Sequence, residues 1–147
     1  MPSDLKKLNY KQMKRIIAIL LIGFITLLNV YAQNYIGLHK DEIVQVMKTS
    51  QRNFKLNTDA VNSKYRYLKF EDKTNEQTML CFLSDEDYCT YVRLMCDYAN
   101  FNTVLDTLNK KYTKKDKYNW IFNEKGESYI VNMDKGEWFF TVSIKKK

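Results

Sequence analysis

Two short segments, Asn123-Glu124-Lys125-Gly126-Glu127 and Met133-Asp134-Lys135-Gly136-Glu137, recur ten residues apart within a run of alternating aromatic and polar side chains. Each places a glycine where a hairpin needs positive φ, so together they lay out a meander of three antiparallel strands in the C-terminal third. With three-residue loops, Tyr118, Trp120 and Phe122 share a face with Ile130, and that face also takes Trp138, Phe140, Val142 and Ile144. The last strand alternates cleanly until Lys145, Lys146 and Lys147, which discourage edge pairing.

A second meander is written upstream. Tyr65 to Glu71 alternates, Asp72 to Asn75 is a turn, Gln77 to Leu83 is apolar, Ser84 to Asp87 is an acidic turn, and Tyr88 to Tyr98 is a long third strand. Pairing Ser84 with Tyr88 puts Leu80 and Phe82 on one face with Thr90, Val92, Leu94 and Cys96, the expected core. The other face then carries Met79, Cys81 and Leu83 with Cys89, Tyr91, Arg93 and Met95.

A helix precedes each meander. Gly37 to Ser50 has Leu38, Ile43, Val46 and Met47 at mostly helical spacing, with Asp41 and Glu42 early, Lys48 late and His39 near the cap. Asn100 to Tyr112 is clearer: Phe101, Val104, Leu105, Leu108 and Tyr112 form an unbroken stripe, Asn100 or Asn102 can cap it, and Lys110 and Lys111 suit its end. Residues 51–63 read as a polar connection and Thr113 to Lys117 as a solvated linker. The fold class is therefore α+β, in the order α-β-β-β-α-β-β-β, with one antiparallel sheet or two abutting ones and both helices packed on one face. In outline this repeat resembles tandem-repeat exported inhibitor and chaperone-like folds.

Ahead of the domain, Lys14 and Arg15 precede an apolar run of 13 residues, Ile16 to Leu28, and Val30-Tyr31-Ala32 fits a cleavage site before Gln33. A bilayer-spanning helix needs about 20 residues, so the segment reads as a cleavable export signal. The expected organisation is an N-terminal extension plus signal over residues 1–32, the signal proper being 13–32, and a single α+β domain over 33–147. Residues 1–12 stand before a signal already complete from Met13, which points to Met13 as the start. No cysteine lies near Ala32 to carry a lipid, so the product is expected to be soluble, periplasmic or extracellular, with no stable membrane anchor.

Cleavage there removes five of the 24 basic residues and one of the 17 acidic ones, so the net charge falls from +7 to +3. That is too small for a nucleic-acid footprint, and nucleic acid is not expected as a partner. Phosphate-cradling glycine loops are absent, no cofactor motif is present, and the three cysteines and one histidine lack zinc-site or CxxC spacing, so neither metal nor cofactor is expected. A nucleophile triad would need His39, the only histidine, and the Asp85-Glu86-Asp87 cluster lacks the ligand spacing of a calcium loop. The chain is therefore not expected to be an enzyme; a small hydrolase or ligand-processing domain using His39 or the acidic turn is the remote alternative.

Two expectations remain. Cys89 and Cys96 lie seven apart on one strand and cannot bond, whereas Cys81 and Cys89 share a face, so the sequence admits one disulfide, Cys81 to Cys89. If both helices cover one sheet face, the other presents Met79, Leu83, Tyr91, Arg93, Met95, Tyr129, Val131, Met133 and Phe139, with Ile121. That much apolar area seldom meets water, and Tyr, Met and Arg are favoured at protein interfaces. The expected function is an exported, non-enzymatic binding module that uses this face on an unknown protein partner or its own copy. A secreted inhibitor or chaperone-like accessory protein is the alternative.

Overall fold

The paired meanders merge into one eight-stranded antiparallel sheet. A computed structural model describes residues 34–58 and 66–147; the expected export signal, its expected cleavage point at Ala32 and Gln33, and the start at Met1 or Met13 lie outside the described residues. The elements are α1 (Lys40–Ser50), β1 (Lys55–Asn57), β2 (Tyr67–Asp72), β3 (Gln77–Leu83), β4 (Cys89–Cys96), a 3-10 turn (Tyr98–Asn100), α2 (Phe101–Lys111), β5 (Thr113–Asp116), β6 (Asn119–Glu124), β7 (Glu127–Lys135) and β8 (Phe140–Lys146). Strand order is β1-β2-β3-β4-β8-β7-β6-β5. Each half runs inward from an edge, and the two final strands join at the centre, where Val92 pairs with Ile144 and Cys96 with Phe140.

Each half has four strands where three were expected. Both additions, β1 and β5, are short edge strands drawn from the segments read as connection and linker. Their sequences, Lys-Leu-Asn and Thr-Lys-Lys-Asp, carry no alternation because an edge strand pairs through its backbone on one side only, and lysine there protects the other side. Lys55 pairs with Glu71 and Thr113 with Ile121.

The upstream hairpin keeps its expected turn but not its expected phase. Ser84 N–H donates to Tyr88 O at 2.8 Å, as the turn requires. Leu83 then pairs with Cys89 but Phe82 with Tyr91, so Thr90 is an extra residue on β4, its hydroxyl bonded to Phe82 O at 3.3 Å. A bulge of this kind reverses the side-chain phase of everything beyond it. Met79 and Cys81 therefore join Val92, Leu94 and Cys96 in the buried layer, and Leu80 and Phe82 move to the other face.

A similar correction applies downstream. The β6–β7 turn has two residues, not three: Glu124 pairs with Glu127, and Lys125 (φ 51°) and Gly126 (φ 82°) both take positive φ, the type I′ geometry that matches strand twist. Trp120 and Phe122 consequently face Val131 and Tyr129, and Ile130 lies on the opposite side with Ile121. The near-copy at Gly136 works differently. Its φ is not positive; a Cβ there would sit 2.6 Å from the Phe139 carbonyl oxygen, so glycine is needed for close approach. Lys135 pairs with Phe140 across a four-residue loop, leaving Trp138, expected in the core, 79 % exposed.

Both helices are held by local chemistry. Gly37 (φ 86°) turns the chain, Leu38 pairs with Cys89 instead of starting the helix, and α1 begins at Lys40. His39 caps it in a reciprocal box: its Nδ1 accepts from Asp41 N–H, and Glu42 accepts from His39 N–H at 2.9 Å. Ile43 and Met47 are its buried residues, and Met47 lines a cleft with Phe54 and Phe70. On α2, Val104 and Leu108 are buried, Phe101 meets Phe140 edge-on at 5.1 Å, and Asn109 accepts from Trp120 Nε1–H at 3.1 Å. Asn100 gives α2 no side-chain cap; its amide bonds Asn75 O instead, and Asp97 caps the preceding 3-10 turn.

Candidate functional site

Because facing residues in an antiparallel pair share a side, the register fixes what the less buried face displays. One row runs Tyr67, Phe82, Tyr91, Lys145, Ile130 and Ile121 across six strands. The next runs Lys69, Leu80, Arg93, Ser143, Asn132 and Asn119. Along the first row the rings of Tyr67 and Phe82 lie 5.9 Å apart and those of Phe82 and Tyr91 5.4 Å apart, a tilted ladder of three half-buried aromatics. The guanidinium of Arg93 lies 5.5 Å from the Tyr91 ring centre and donates to its hydroxyl at 3.0 Å. Lys69 is paired with Glu71 at 2.6 Å, and Asn132 donates to Asn119.

The nine residues expected on an interaction face are divided by the two phase reversals. Tyr91, Arg93 and Met95 lie on this face; Met79, Tyr129, Val131 and Met133 are buried on the other side. Leu83 is half-buried beside Cys89, and Phe139 projects from the β7–β8 loop, 39 % exposed. Phe139 and Trp138 border a shallow cleft that reaches Thr78 and Met95. Sequence reasoning missed Tyr67, Leu80 and Phe82. Their alternation in β2 and β3 was visible, but which phase faces inward was not.

The residues considered for catalysis are occupied otherwise. His39 is spent on the helix cap and stacks edge-on against Tyr88 at 5.4 Å. In the acidic turn, Asp87 is clasped by Lys40 at 2.6 Å and by Arg66, which also donates to Asp85 O at 2.8 Å. Among the described residues no group of three His, Cys, Asp or Glu side chains is placed to hold a metal ion, and no helix is long and apolar enough to cross a membrane.

The hydrogen bond from Lys40, with Arg66 beside it, holds the Asp87 carboxyl below its ordinary pKa. A depressed folded-state pKa contributes stability at neutral pH that is lost as pH falls through it. An NMR titration should place the Asp87 midpoint below the ordinary aspartate range, and Lys40→Met should raise it; a wild-type midpoint at or above that range would contradict the clasp.

All three cysteines are buried thiols. Burial pushes Cys96 up to about 12. Cys81 and Cys89 stand diagonally across β3 and β4, and Cys89 Sγ donates to Tyr91 O at 3.7 Å.

Comparison with known proteins finds no match: no family model, no curated protein and no solved structure matches this chain.

Proposed function

We propose that this protein is an exported, non-enzymatic binding module, that both helices cover the buried side of the sheet, and that the opposite side docks another protein. The observation that carries this reading is the half-buried ladder Tyr67–Phe82–Tyr91 with Arg93 stacked at its end. Rigid aromatic side chains beside arginine are the residue types that dominate binding energy at protein interfaces. Lys145 follows Tyr91 in the same row, so the ladder ends in two cations, Arg93 and Lys145. The partner that fits is a protein presenting an apolar side chain flanked by carboxylates. Export rests on the apolar run Ile16 to Leu28 and the cleavage pattern that follows it.

The test is a photo-crosslinking amino acid placed at Phe82, compared with one at the exposed Lys48 of α1, in cells that make the native chain. Crosslinks to a specific envelope protein from position 82 alone, abolished by Arg93→Glu while the circular dichroism spectrum and melting temperature are unchanged, are expected. Crosslinks only between copies of this chain would replace the heterologous partner with a dimer. An absence of crosslinks from position 82, or equal crosslinking from both positions, would remove the reading.

A further inference from the structure

The bulge that reverses the phase of β3 also decides what happens to two of the cysteines. With Leu83 opposite Cys89 and Thr90 left over, Cys89 lands on the buried side, diagonal to Cys81 two residues along β3. Both are enclosed, Cys81 at 0 % and Cys89 at 2 % exposure, and the segment that leads into α1 pairs with Cys89. That segment is stitched to the same place: Gly37 N–H donates to Cys89 O at 2.8 Å, Cys89 N–H donates to Leu38 O at 2.9 Å, and His39 bridges to Tyr88. Tyr35 at the start of that segment is buried as well. Cys96 is seven residues further along β4, next to Phe140 on β8, out of reach of either.

We propose that Cys81 and Cys89 are the protein's one disulfide pair, closed by a dithiol–disulfide carrier or small disulfide of the compartment to which the chain is exported, with Cys89 as the attacking sulfur and Cys96 left as a thiol. The roles follow from where the two thiols stand. Cys89, at the hairpin end of β4 and 2 % exposed against 0 % for Cys81, is the sulfur a donor disulfide reaches first, and the neighbouring Cys81 lowers the pKa of the Cys89 thiol while Cys89 and burial push that of Cys81 up. Cys89 attacks the donor disulfide and expels one thiolate, giving a mixed disulfide. Cys81 then gives up its proton, attacks the Cys89 sulfur and expels the second thiolate. Two electrons and two protons pass to the donor, which leaves as two thiols. The bond ties β3 to β4 at the hairpin end where Gly37 and Leu38 pair with the Cys89 backbone.

Trypsin makes this directly readable, since Cys81 and Cys89 both fall in the peptide from Thr74 to Arg93 and Cys96 falls in the next. The protein is refolded with oxidised glutathione, denatured, and alkylated without reduction. The Thr74–Arg93 peptide should be unalkylated and lighter by two hydrogens, splitting on cleavage after Glu86 only when reduced, while the Cys96 peptide is alkylated. In the same experiment Cys81→Ser should accumulate glutathione on residue 89, and Cys89→Ser should not accumulate it on residue 81. Alkylation of both Cys81 and Cys89 in the refolded wild type, or a bond that includes Cys96, would overturn the pairing; the reverse pattern in the two serine variants would overturn the assigned roles. The source of oxidant rests on the export reading. A bond that closes on refolding yet is missing from the protein alkylated directly in whole cells would therefore sink the export reading and leave the pair standing.

Discussion

Val131→Asp should abolish cooperative folding at neutral pH, whereas Ile130→Asp, one residue earlier on β7, should leave the protein folded and melting within a few degrees of wild type. Val131 has no exposed surface and packs between Trp120 and Ile144. An aspartate there forfeits about 1.5 kcal/mol or more of apolar burial. It must also be held neutral against a carboxyl pKa near 4, and a rise of roughly three units costs about 4 kcal/mol more at neutral pH. A combined loss above about 5 kcal/mol is comparable with the entire stability of a small domain. Ile130 lies on the opposite side, half-buried and facing Lys145. An aspartate at that position gains a cross-strand partner of opposite charge, and its net cost is about 1 kcal/mol. Circular dichroism melts of the two variants read the phase of β7 directly. If Val131→Asp melts normally and Ile130→Asp does not, the two-residue turn at Lys125-Gly126 is wrong.

Trp120→Ala is expected to lower stability by about 3 to 5 kcal/mol, on the order of 15 °C in melting temperature, without changing the fold of the remaining protein. Trp120 is the largest side chain with no exposure, and it links the two layers: its ring fills the sheet side and its Nε1–H reaches Asn109 on α2. Trp120→Phe separates the contributions. The phenyl ring retains most of the packing, and Asn109, which is exposed, exchanges the lost donor for water, so this variant should lose only about 1 to 2 kcal/mol. Urea titrations of both variants would show it. Equal losses would mean that the hydrogen bond, and not the packing, holds α2 in place.

The elements themselves were legible because their signals are local. The stripe Phe101, Val104, Leu108 specifies α2 within a residue at each end, and His39 with Glu42 writes the cap of α1. Asp72 to Asn75 reads as a turn, and its buried Asp72 carboxylate takes the Thr74 and Asn75 amides at 2.9 and 3.1 Å. The edge strands were illegible for the opposite reason. Leu56 and Lys114 sit in strands because Phe70 and Trp120 are there to pair with, and nothing in their own side chains asks for it. The interaction face suffered most. Tyr91, Arg93 and Met95 share one side of β4, yet Met79, Tyr129, Val131 and Met133, expected beside them, lie on the buried side of β3 and β7, since a strand's phase is a single binary choice that carries all its side chains with it.

The amino-acid sequence alone determined that the described residues make two helices and antiparallel strands in a repeated order, since the period of apolar residues, the caps and the turn residues all act over a few positions. Tertiary structure decided what that order becomes. One surplus residue at Thr90 and one residue fewer at Lys125-Gly126 set which side of β3 and β7 faces inward. Pairing between β4 and β8, residues far apart in the chain, fused two meanders into a single sheet and aligned Tyr67, Phe82, Tyr91 and Lys145 in one row. Those outcomes depend on counting residues against a partner strand, and a partner strand exists only once the chain has folded.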